Sequence, residues 1–438
     1  MWTGFLDYGV LSTHPNYMYF FILAIFFKIF GFGIIQARMV SVLAGIVIVV
    51  VTYLMANRYW GKKVALIATL LLACNPLFIL FAKMTRPEML LTAFGMLSLF
   101  LLVVGLEKNE KILLFFAGIF MTAAAMTHIN GVFVTIALLA LMFIKTKVKS
   151  SLWKNGMYII AGVGLFALPY IFFLGVHWEL FIRQFFGLFT YRVPLSVQSI
   201  LGNIIDEPSR WLVGRTVPIA TFFPILAFFM LIKKLKHYKK ICIPTLIIFF
   251  YFIFLDQSKY YGYIILLLPF LIISLAIICT KHLGKSKTNG IAILFVLLLL
   301  VSQVGAVGYK IAKDKGADYD RYCSEVQDIL DKESTILADP LLYFCFPDGN
   351  LRGISVLIRI HNSAGISYEA LITEQEIEYI ILDPASKAFL KSGNRAFTGT
   401  GGYYDAVLSC SKIADVRDEY YTRVGMGDSI TEIFKCGD

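Results

Sequence analysis

Charge is scarce in this sequence. Of its 438 residues only 16% are charged, whereas 58% are hydrophobic, and the mean hydropathy is +0.74. Apolar runs of about 20 residues alternate with short charged loops, which is the pattern of transmembrane helices. So little charge over this length excludes a soluble globular protein.

Acidic residues are especially rare in the first 308 residues, which contain 8 Asp and Glu against 26 Lys and Arg. The balance reverses in residues 309–438, with 21 acidic against 14 basic side chains. We interpret residue 308 as the boundary between a transmembrane domain, 1–308, and a soluble α/β domain, 309–438. Cytoplasmic loops account for the basic excess, so no nucleic-acid partner is required.

The apolar runs predict a mainly α, polytopic transmembrane domain of about 10–11 spans. Residues 17–35 either form a span or lie at the membrane interface. The ten other spans are predicted at 39–56, 64–82, 88–106, 112–127, 129–144, 155–176, 216–232, 241–255, 262–280 and 288–308.

Alternate loops contain 17 basic residues against 7 in the loops between them. The positive-inside rule places the richer set in the cytoplasm. An amphipathic loop, 177–215, and the C-terminal domain then lie on the extracytoplasmic side of the plasma membrane.

The C-terminal domain is predicted to contain strands at 335–339, 378–383 and 431–436 and a helix at 319–332. It also contains four of the seven cysteines: Cys323, Cys345, Cys410 and Cys436. Outside the cytoplasm these permit two disulfides in three connectivities, whereas an anaerobic source would leave free buried thiols. No CxxC spacing suggests a zinc site.

The segment "TRPE" concentrates charge at a predicted outer helix end. Glu88 lies at the positive end of the helix dipole with Arg86 two residues away, and both effects favour the carboxylate form. One interpretation is a helix cap with an interfacial arginine. The other is a carboxylate that binds an acceptor, a sugar hydroxyl or a metal, with Arg86 on a phosphate.

Three further outer-face stretches allow a structural or a functional interpretation. Lys259, Tyr260 and Tyr261 are either an aromatic belt with a snorkelling lysine or a cradle for a lipid phosphate. His128 is either part of a polar turn or a contact to a phosphate or an acid. The loop 177–215, which contains Arg183 and Arg192, is either an interfacial anchor or a lid over a lipid-linked substrate.

Residues 11–135 contain a series of motifs in a fixed order: Pro15, Phe30-Gly31, Arg38, Tyr59–Lys63 and Thr85–Glu88. This order resembles that of the polyprenyl-phosphate-sugar-dependent glycosyltransferases of the C-type membrane superfamily. The superfamily includes the protein O-mannosyltransferases and the aminoarabinose transferase of lipid A. A weaker resemblance covers 155–280, where "SKYYGYIILLLP" is similar to the family's basic and aromatic entry to a Pro-containing helix.

The resemblance implies that a sugar moves from a polyprenyl-phosphate carrier to a hydroxyl of a protein, glycolipid or wall polymer at the outer face of the membrane. A carboxylate would take the acceptor proton, and cations and hydrogen-bond donors would stabilise the leaving phosphate. The candidate carboxylates are Glu88 and Asp7. The candidates for binding the donor phosphate are Arg86, Lys259, Tyr260, Tyr261, Arg183, Arg192, His14 and His128. No metal site is assigned, although Glu88 and His128 could share a divalent ion.

The sequence departs from the family at its beginning. The family's catalytic acid lies on an outer loop after a first spanning helix, whereas here only 14 residues precede Pro15 and Asp7 is the sole acid among them. The family also often has Lys where this chain has His128. We therefore expect that Met1 is not the natural start, or that the chain is a truncated relative without activity.

Two other classes of protein compete with this interpretation. A secondary transporter needs ionisable residues near the bilayer midplane, whereas the predicted spans are nearly free of charge except at their ends. A non-catalytic receptor or scaffold would use residues 309–438 as its binding part. An assay of glycosyl transfer distinguishes an enzyme from both of these classes, since neither of them transfers a sugar.

Overall fold

A computed structural model divides the chain into two compact units at Gly308, and each unit is described separately below. The first unit is helical and the second contains a five-stranded sheet, which confirms the predicted fold class. The residues described are 17–145, 149–179, 181–182, 196–213, 216–282, 289–315, 318–331, 334–339, 342, 344–346, 351–354, 357, 361, 365–384, 386–387, 406–417 and 430–436.

The helices of the first unit follow the predicted spans closely. They are α1 Tyr17–Phe30, α2 Ile34–Trp60, α3 Lys62–Ala73, α4 Pro76–Ala82, α5 Pro87–Lys108, α6 Lys111–Thr127, α7 Gly131–Lys145, α8 Lys149–Val176, α9 Val197–Trp211, α10 Thr216–Ile232, α11 Leu235–Phe250, α12 Leu268–His282 and α13 Asn289–Asp314. A π-helical turn, Tyr251–Leu255, continues α11, and a 3₁₀ helix, Tyr261–Leu266, precedes α12.

Among the residues described, five helices are long and apolar enough to cross a membrane, and seven segments qualify if each of two bent pairs is one span. Four shorter apolar helices accompany them: α1, α6, α7 and α12. Together these segments correspond to the ten predicted spans and residues 17–35. The chain is therefore an integral membrane protein.

One predicted span, 64–82, is broken into α3 and α4, which meet at an angle of 61°. Asn75 causes the break: its side-chain oxygen accepts from the backbone N–H groups of Leu77 and Phe78 and so caps α4. Its amide also donates to the carbonyl of Ala220 in α10, at 3.1 Å. Pro76 occupies the first position of α4, where a missing N–H costs nothing.

Three of the loops that are rich in basic residues, those that follow α2, α5 and α10, meet at the same end of the helical unit. At this end Glu107, near the end of α5, accepts hydrogen bonds from Arg58 at 3.3 Å and Tyr59 at 3.0 Å and pairs with Lys240 at 2.7 Å. Glu88 lies at the opposite end of α5, about 28 Å away at 1.5 Å per residue. We call these the Glu107 end and the Glu88 end.

The second unit contains a sheet with strand order β2-β1-β3-β5-β4. Strands β1, β2 and β3 are parallel, whereas β5 runs antiparallel to β3 and β4. The elements are α14 Tyr319–Gln327, β1 Ile336–Ala338, β2 Leu351–Gly353, α15 Tyr368–Glu374, β3 Tyr379–Leu382, β4 Ser411–Arg417 and β5 Ile430–Lys435.

The three predicted strands and the predicted helix are present, whereas β2, β4 and α15 were not predicted. Strand β2 has only three residues, and β4 is mostly exposed, so neither has a distinct hydrophobic pattern. Disulfides join Cys323 to Cys345 and Cys410 to Cys436, which selects one of the three possible connectivities. Each disulfide belongs to one of the two hydrophobic layers on either side of the sheet.

Candidate functional site

Arg86 and Glu88 form a forked ion pair where α5 begins. Nη2 of Arg86 lies 2.7 Å from Oε1 of Glu88, and its Nε lies 3.2 and 3.1 Å from the two carboxylate oxygens. The Glu88 side chain is fully buried, whereas 42% of the Arg86 side chain is exposed. Burial alone would lower the pKa of Arg86, but the Glu88 carboxylate more than compensates and raises it. The guanidinium is therefore a permanent, oriented cation with one open side.

Tyr260 covers the guanidinium of Arg86, whose Cζ lies 4.4 Å from the centre of the ring. The rings of Tyr260 and Tyr261 are 5.1 Å apart, and Phe81 in α4 packs edge-on against both. A side chain at Gly262 would overlap Tyr260 and Phe81, so this close approach requires glycine. Burial raises the pKa of Tyr260, which therefore keeps its proton as a hydrogen-bond donor.

Three hydrogen-bond donors at this place have no acceptor within the part of the chain that the structure describes. They are Nη1 of Arg86 and the hydroxyl groups of Tyr260 and Tyr261, none of which donates to a described residue. Arg86 lies against the ring of Tyr260, and Tyr261 packs beside Tyr260, so one charged and two neutral donor groups occur close together. Donors of these kinds suit the binding of a phosphate group.

A second group of charges lies beside this pair and is buried. Arg210 of α9 pairs with Asp256 at 2.7 Å and with Glu207 at 3.0 Å, and Lys259 pairs with Glu207 at 2.8 Å. The side chains of Arg210 and Asp256 are completely inaccessible to solvent. We call these four residues the Arg210 cluster; its two acids and two bases balance, as burial of charge requires.

The Arg210 cluster is joined directly to the Arg86 site, since Nη1 of Arg210 donates to the carbonyl of Tyr260 at 2.9 Å. The Lys259 amine donates to Glu207 and to the carbonyl of Phe252, and Lys259 has a left-handed backbone with φ of 47°. Because its amine already has these partners, the phosphate-binding role of Lys259 stays a prediction with no support from its contacts.

His128 lies in the turn between α6 and α7 and is nearly buried. Its Nδ1 accepts from the backbone N–H of Asn130 at 3.2 Å, and its ring packs 5.4 Å from that of Tyr263. The side-chain oxygen of Asn130 accepts from the hydroxyl of Tyr251 at 2.8 Å. These contacts give His128 a structural place at the Glu88 end, and its role toward a phosphate stays a prediction.

Four other predicted site residues lie outside the described residues: Asp7, His14, Arg183 and Arg192. Of the loop 177–215, the stretch 197–211 forms the amphipathic helix α9. No group of three or more His, Cys, Asp or Glu side chains in the described parts of the chain is arranged to hold a metal ion.

Sequence reasoning did not assign site roles to Arg210, Glu207 or Asp256. A signal was present in α9, because Asn203, Glu207 and Arg210 recur at helical spacing and share one face. That polar face is buried, whereas apolar side chains such as Ile205 and Val197 are 75% and 74% exposed. In a soluble protein the apolar face of a helix is buried and its polar face is exposed. The opposite arrangement in α9 fits a helix whose outward face contacts lipid.

The fold of this chain is similar to those of solved ArnT and oligosaccharyltransferase structures. ArnT from Cupriavidus metallidurans, crystallised with undecaprenyl phosphate, superposes with a TM-score of 0.57 at 14% identity, covering 95% of this chain and 86% of that one. The oligosaccharyltransferase of Archaeoglobus fulgidus in its apo form superposes with a TM-score of 0.56 at 11% identity, covering 92% of this chain and 65% of that one. The archaeal oligosaccharyltransferase AglB from Archaeoglobus fulgidus, in complex with an inhibitory peptide and a dolichol-phosphate, gives a TM-score of 0.53 at 10% identity, covering 92% of this chain and 65% of that one.

Residues 13–173 match the family model described as dolichyl-phosphate-mannose-protein mannosyltransferase. An uncharacterized protein of Aquifex aeolicus (strain VF5) is 27% identical over 316 residues, which cover 69% of this chain. The aligned part spans 61% of that relative's length. The resemblance to the C-type membrane superfamily that the sequence predicts is thereby confirmed, and Arg86, Glu88 and His128 all lie within the segment that matches the family model.

Proposed function

We propose that this protein is a membrane glycosyltransferase that moves a sugar from a polyprenyl-phosphate carrier to a hydroxyl group of a protein or glycolipid. The observation that carries the proposal is that three open donor groups lie close together. They are the Arg86 guanidinium, which the buried Glu88 carboxylate holds, and the hydroxyl groups of Tyr260 and Tyr261. The family model over 13–173 and the lipid phosphates named with ArnT and AglB support the same substrate class.

The donor's phosphate is proposed to bind between Arg86 and the two tyrosines. In the reaction, the acceptor oxygen forms a bond to the anomeric carbon while the bond from that carbon to the phosphate oxygen breaks. The electron pair of the broken bond stays on the phosphate, whose charge grows. Arg86 is already oriented toward this charge, so little reorganisation is needed as the transition state forms.

The contacts of Glu88 favour one of its two predicted roles. Both carboxylate oxygens already accept hydrogen bonds from Arg86, and the side chain has no exposure to solvent. A group so occupied is better suited to orienting Arg86 than to taking the acceptor proton. We therefore assign Glu88 to holding the phosphate-binding cation, and Asp7 remains the candidate for the proton acceptor.

The reaction is proposed to occur on the extracytoplasmic side of the plasma membrane. The Glu88 end has the loops poor in basic residues, which the positive-inside rule assigns to that side. The two disulfides of the C-terminal unit also fit an oxidising compartment. Protease added to intact cells would then release fragments carrying a C-terminal epitope tag, whereas full protection of the tag would overturn this orientation.

Purified full-length protein in detergent micelles tests the activity directly. It would be incubated with radiolabelled polyprenyl-phosphate mannose, glucose or N-acetylglucosamine and with delipidated membrane proteins or extracted glycolipids as acceptors. We expect label from one donor to appear in one acceptor fraction. Binding of polyprenyl phosphate without transfer would favour a receptor, and movement of the donor across vesicles without transfer would favour a transporter.

The variant Glu88→Gln separates the two roles of Glu88. If Glu88 orients Arg86, the variant should bind polyprenyl phosphate roughly tenfold more weakly, equivalent to about 1.4 kcal/mol, and lose most of its transfer activity. If Glu88 were the proton acceptor, binding would stay at the wild-type level while turnover fell.

The chain offers a matched control for this substitution. Glu107→Gln also removes a carboxylate paired with cations, on the same helix but at the Glu107 end. It should leave both polyprenyl phosphate binding and transfer unchanged, since it lies about 28 Å from Glu88.

A further inference from the structure

The helix α9 presents its polar face to the protein and its apolar face outward. Arg210 lies near its last turn and makes three contacts with three different segments: Glu207 in its own helix, Asp256 after the π-helical turn, and the carbonyl of Tyr260. Its guanidinium also stacks 4.4 Å from the ring centre of Phe252. The Arg210 side chain is fully buried, and its three acceptors together hold the guanidinium in one orientation.

The segment Asp256–Tyr260 has no regular secondary structure of its own. Its conformation is fixed by side chains: Ser258 donates to Asp256 at 2.9 Å, Arg210 binds the other oxygen of Asp256, and Lys259 adopts a positive φ. The Tyr260 carbonyl is its last anchored point before the 3₁₀ helix, and it accepts from Arg210 at 2.9 Å and from the backbone N–H of Tyr263 at 3.3 Å. Without the hydrogen bond from Arg210, the backbone that carries the Tyr260 ring would lose this restraint.

The same residue, Tyr260, touches both groups of charge. Its carbonyl oxygen accepts from Arg210, and its ring lies against the guanidinium of Arg86, which pairs with Glu88. An unbroken series of contacts therefore connects α9 with the mouth of α5. Four buried charges are a poor source of stability, because apolar side chains of equal volume often stabilise a protein as much or more.

We propose that Arg210 is a positioning residue for phosphate binding, which acts by holding Tyr260 against Arg86. This inference rests on the proposed function, because it assumes that Arg86 and Tyr260 receive the carrier phosphate. Arg210 itself does not touch the phosphate. The amphipathic helix α9 thereby has a second task beyond anchoring at the lipid surface: it fixes one wall of the donor site.

The test is the binding of radiolabelled decaprenyl phosphate to the purified full-length protein, with thermal unfolding measured on each variant. Arg210→Lys keeps the charge but replaces the planar fork of the guanidinium by a compact ammonium group, which cannot reproduce the geometry of the three contacts. We expect it to bind about fivefold to tenfold more weakly. Tyr260→Phe keeps the ring, so adding Arg210→Lys to this variant should weaken binding as it does in the wild type. Tyr260→Ala removes the ring, so adding Arg210→Lys to it should have no further effect on binding.

The double variants give the decisive comparison, because residues that act through one another are not additive. If Arg210 acts through the Tyr260 ring, Arg210→Lys with Tyr260→Ala should bind no more weakly than Tyr260→Ala alone. Additive losses would overturn the inference. Arg58→Lys at the Glu107 end is the matched control, since Arg58 also pairs with a glutamate, and its binding should equal that of the wild type.

A second variant guards against a failure of Arg210→Lys to fold. Asp256→Asn keeps the size of the side chain and loosens Arg210 from its other side, and the same non-additivity with Tyr260→Ala is expected. If the wild-type protein does not bind decaprenyl phosphate at all, the proposed function fails and this inference with it. If the wild type binds and the losses add, only the inference fails.

Discussion

Tyr19 in α1 has a buried hydroxyl group that makes no hydrogen bond with any residue that the structure describes. Only 4% of the residue is exposed. The hydroxyl lies within electrostatic range of Glu88 and Arg86. A buried hydroxyl without a partner is unfavourable, so we predict that bound substrate supplies its partner.

Tyr19→Phe removes only that hydroxyl. Leaving such a group unpaired costs about 1–3 kcal/mol, so the variant should unfold at the same temperature as the wild type or a few degrees higher. Transfer activity should nevertheless fall if the hydroxyl binds substrate. A clear drop in the unfolding temperature would instead mean that the hydroxyl has a structural partner.

Some contacts of the candidate site can be predicted from the local sequence, whereas others cannot. Arg86 and Glu88 are two residues apart at a helix start, so their proximity is predictable. Their contact with Tyr260 is not, because it depends on which loop meets α5 in space. Lys259 illustrates the opposite case: its sequence neighbours suggest a phosphate ligand, yet its amine is bound by Glu207 from α9.

At the scale of elements, the bend between α3 and α4 positions one wall of the site. It turns α4 so that Phe81 packs against Tyr260 and Tyr261. Hydropathy predicts a single span here because both halves are equally apolar. The bend results from Asn75, which caps α4 locally and also donates to Ala220; only the second contact depends on the position of α10.

Asn75→Ala removes both the cap and the donor to Ala220. A lost cap costs about 1 kcal/mol, and an unpaired buried carbonyl adds a loss of about 1 kcal/mol or more. We expect the free energy of unfolding in detergent to fall by about 2 kcal/mol. Decaprenyl phosphate binding should weaken with it, because Phe81 supports the tyrosines.

Asn75→Ser is the control for this pair of effects, since serine can cap a helix but has no amide to reach Ala220. Its loss of stability should be roughly half that of Asn75→Ala. An equal loss in both variants would show that the cap contributes nothing and that the bend depends on the contact with Ala220 alone.

At the scale of the whole molecule, the two units are stabilised by different means. The helical unit buries apolar side chains along the predicted spans, whereas the C-terminal unit holds a small sheet between two layers, each closed by a disulfide. The disulfides enclose short loops, with sequence separations of 22 and 26 residues. Loops of this length correspond to about 3 kcal/mol of stabilisation for each disulfide.

Replacing Cys410 and Cys436 by serine should destabilise the C-terminal unit by about 3 kcal/mol. Limited proteolysis should then cleave residues 309–438 faster than in the wild type, and dithiothreitol should have a similar effect on the wild-type protein. Decaprenyl phosphate binding should persist, since every residue proposed to contact the phosphate lies in the helical unit. Unchanged proteolysis after reduction, with thiols verified by alkylation and mass spectrometry, would contradict this.

The sequence by itself determined the helical spans, three strands of the sheet and the resemblance to the membrane glycosyltransferases. These features depend on hydrophobicity and charge along short stretches of chain, which do not change when the chain folds. The tertiary structure alone decided the disulfide partners, the contact of Asn75 with α10 and the Arg210 cluster. Each of these requires groups distant in sequence to meet, and the meeting of helix ends is set by packing, not by local composition.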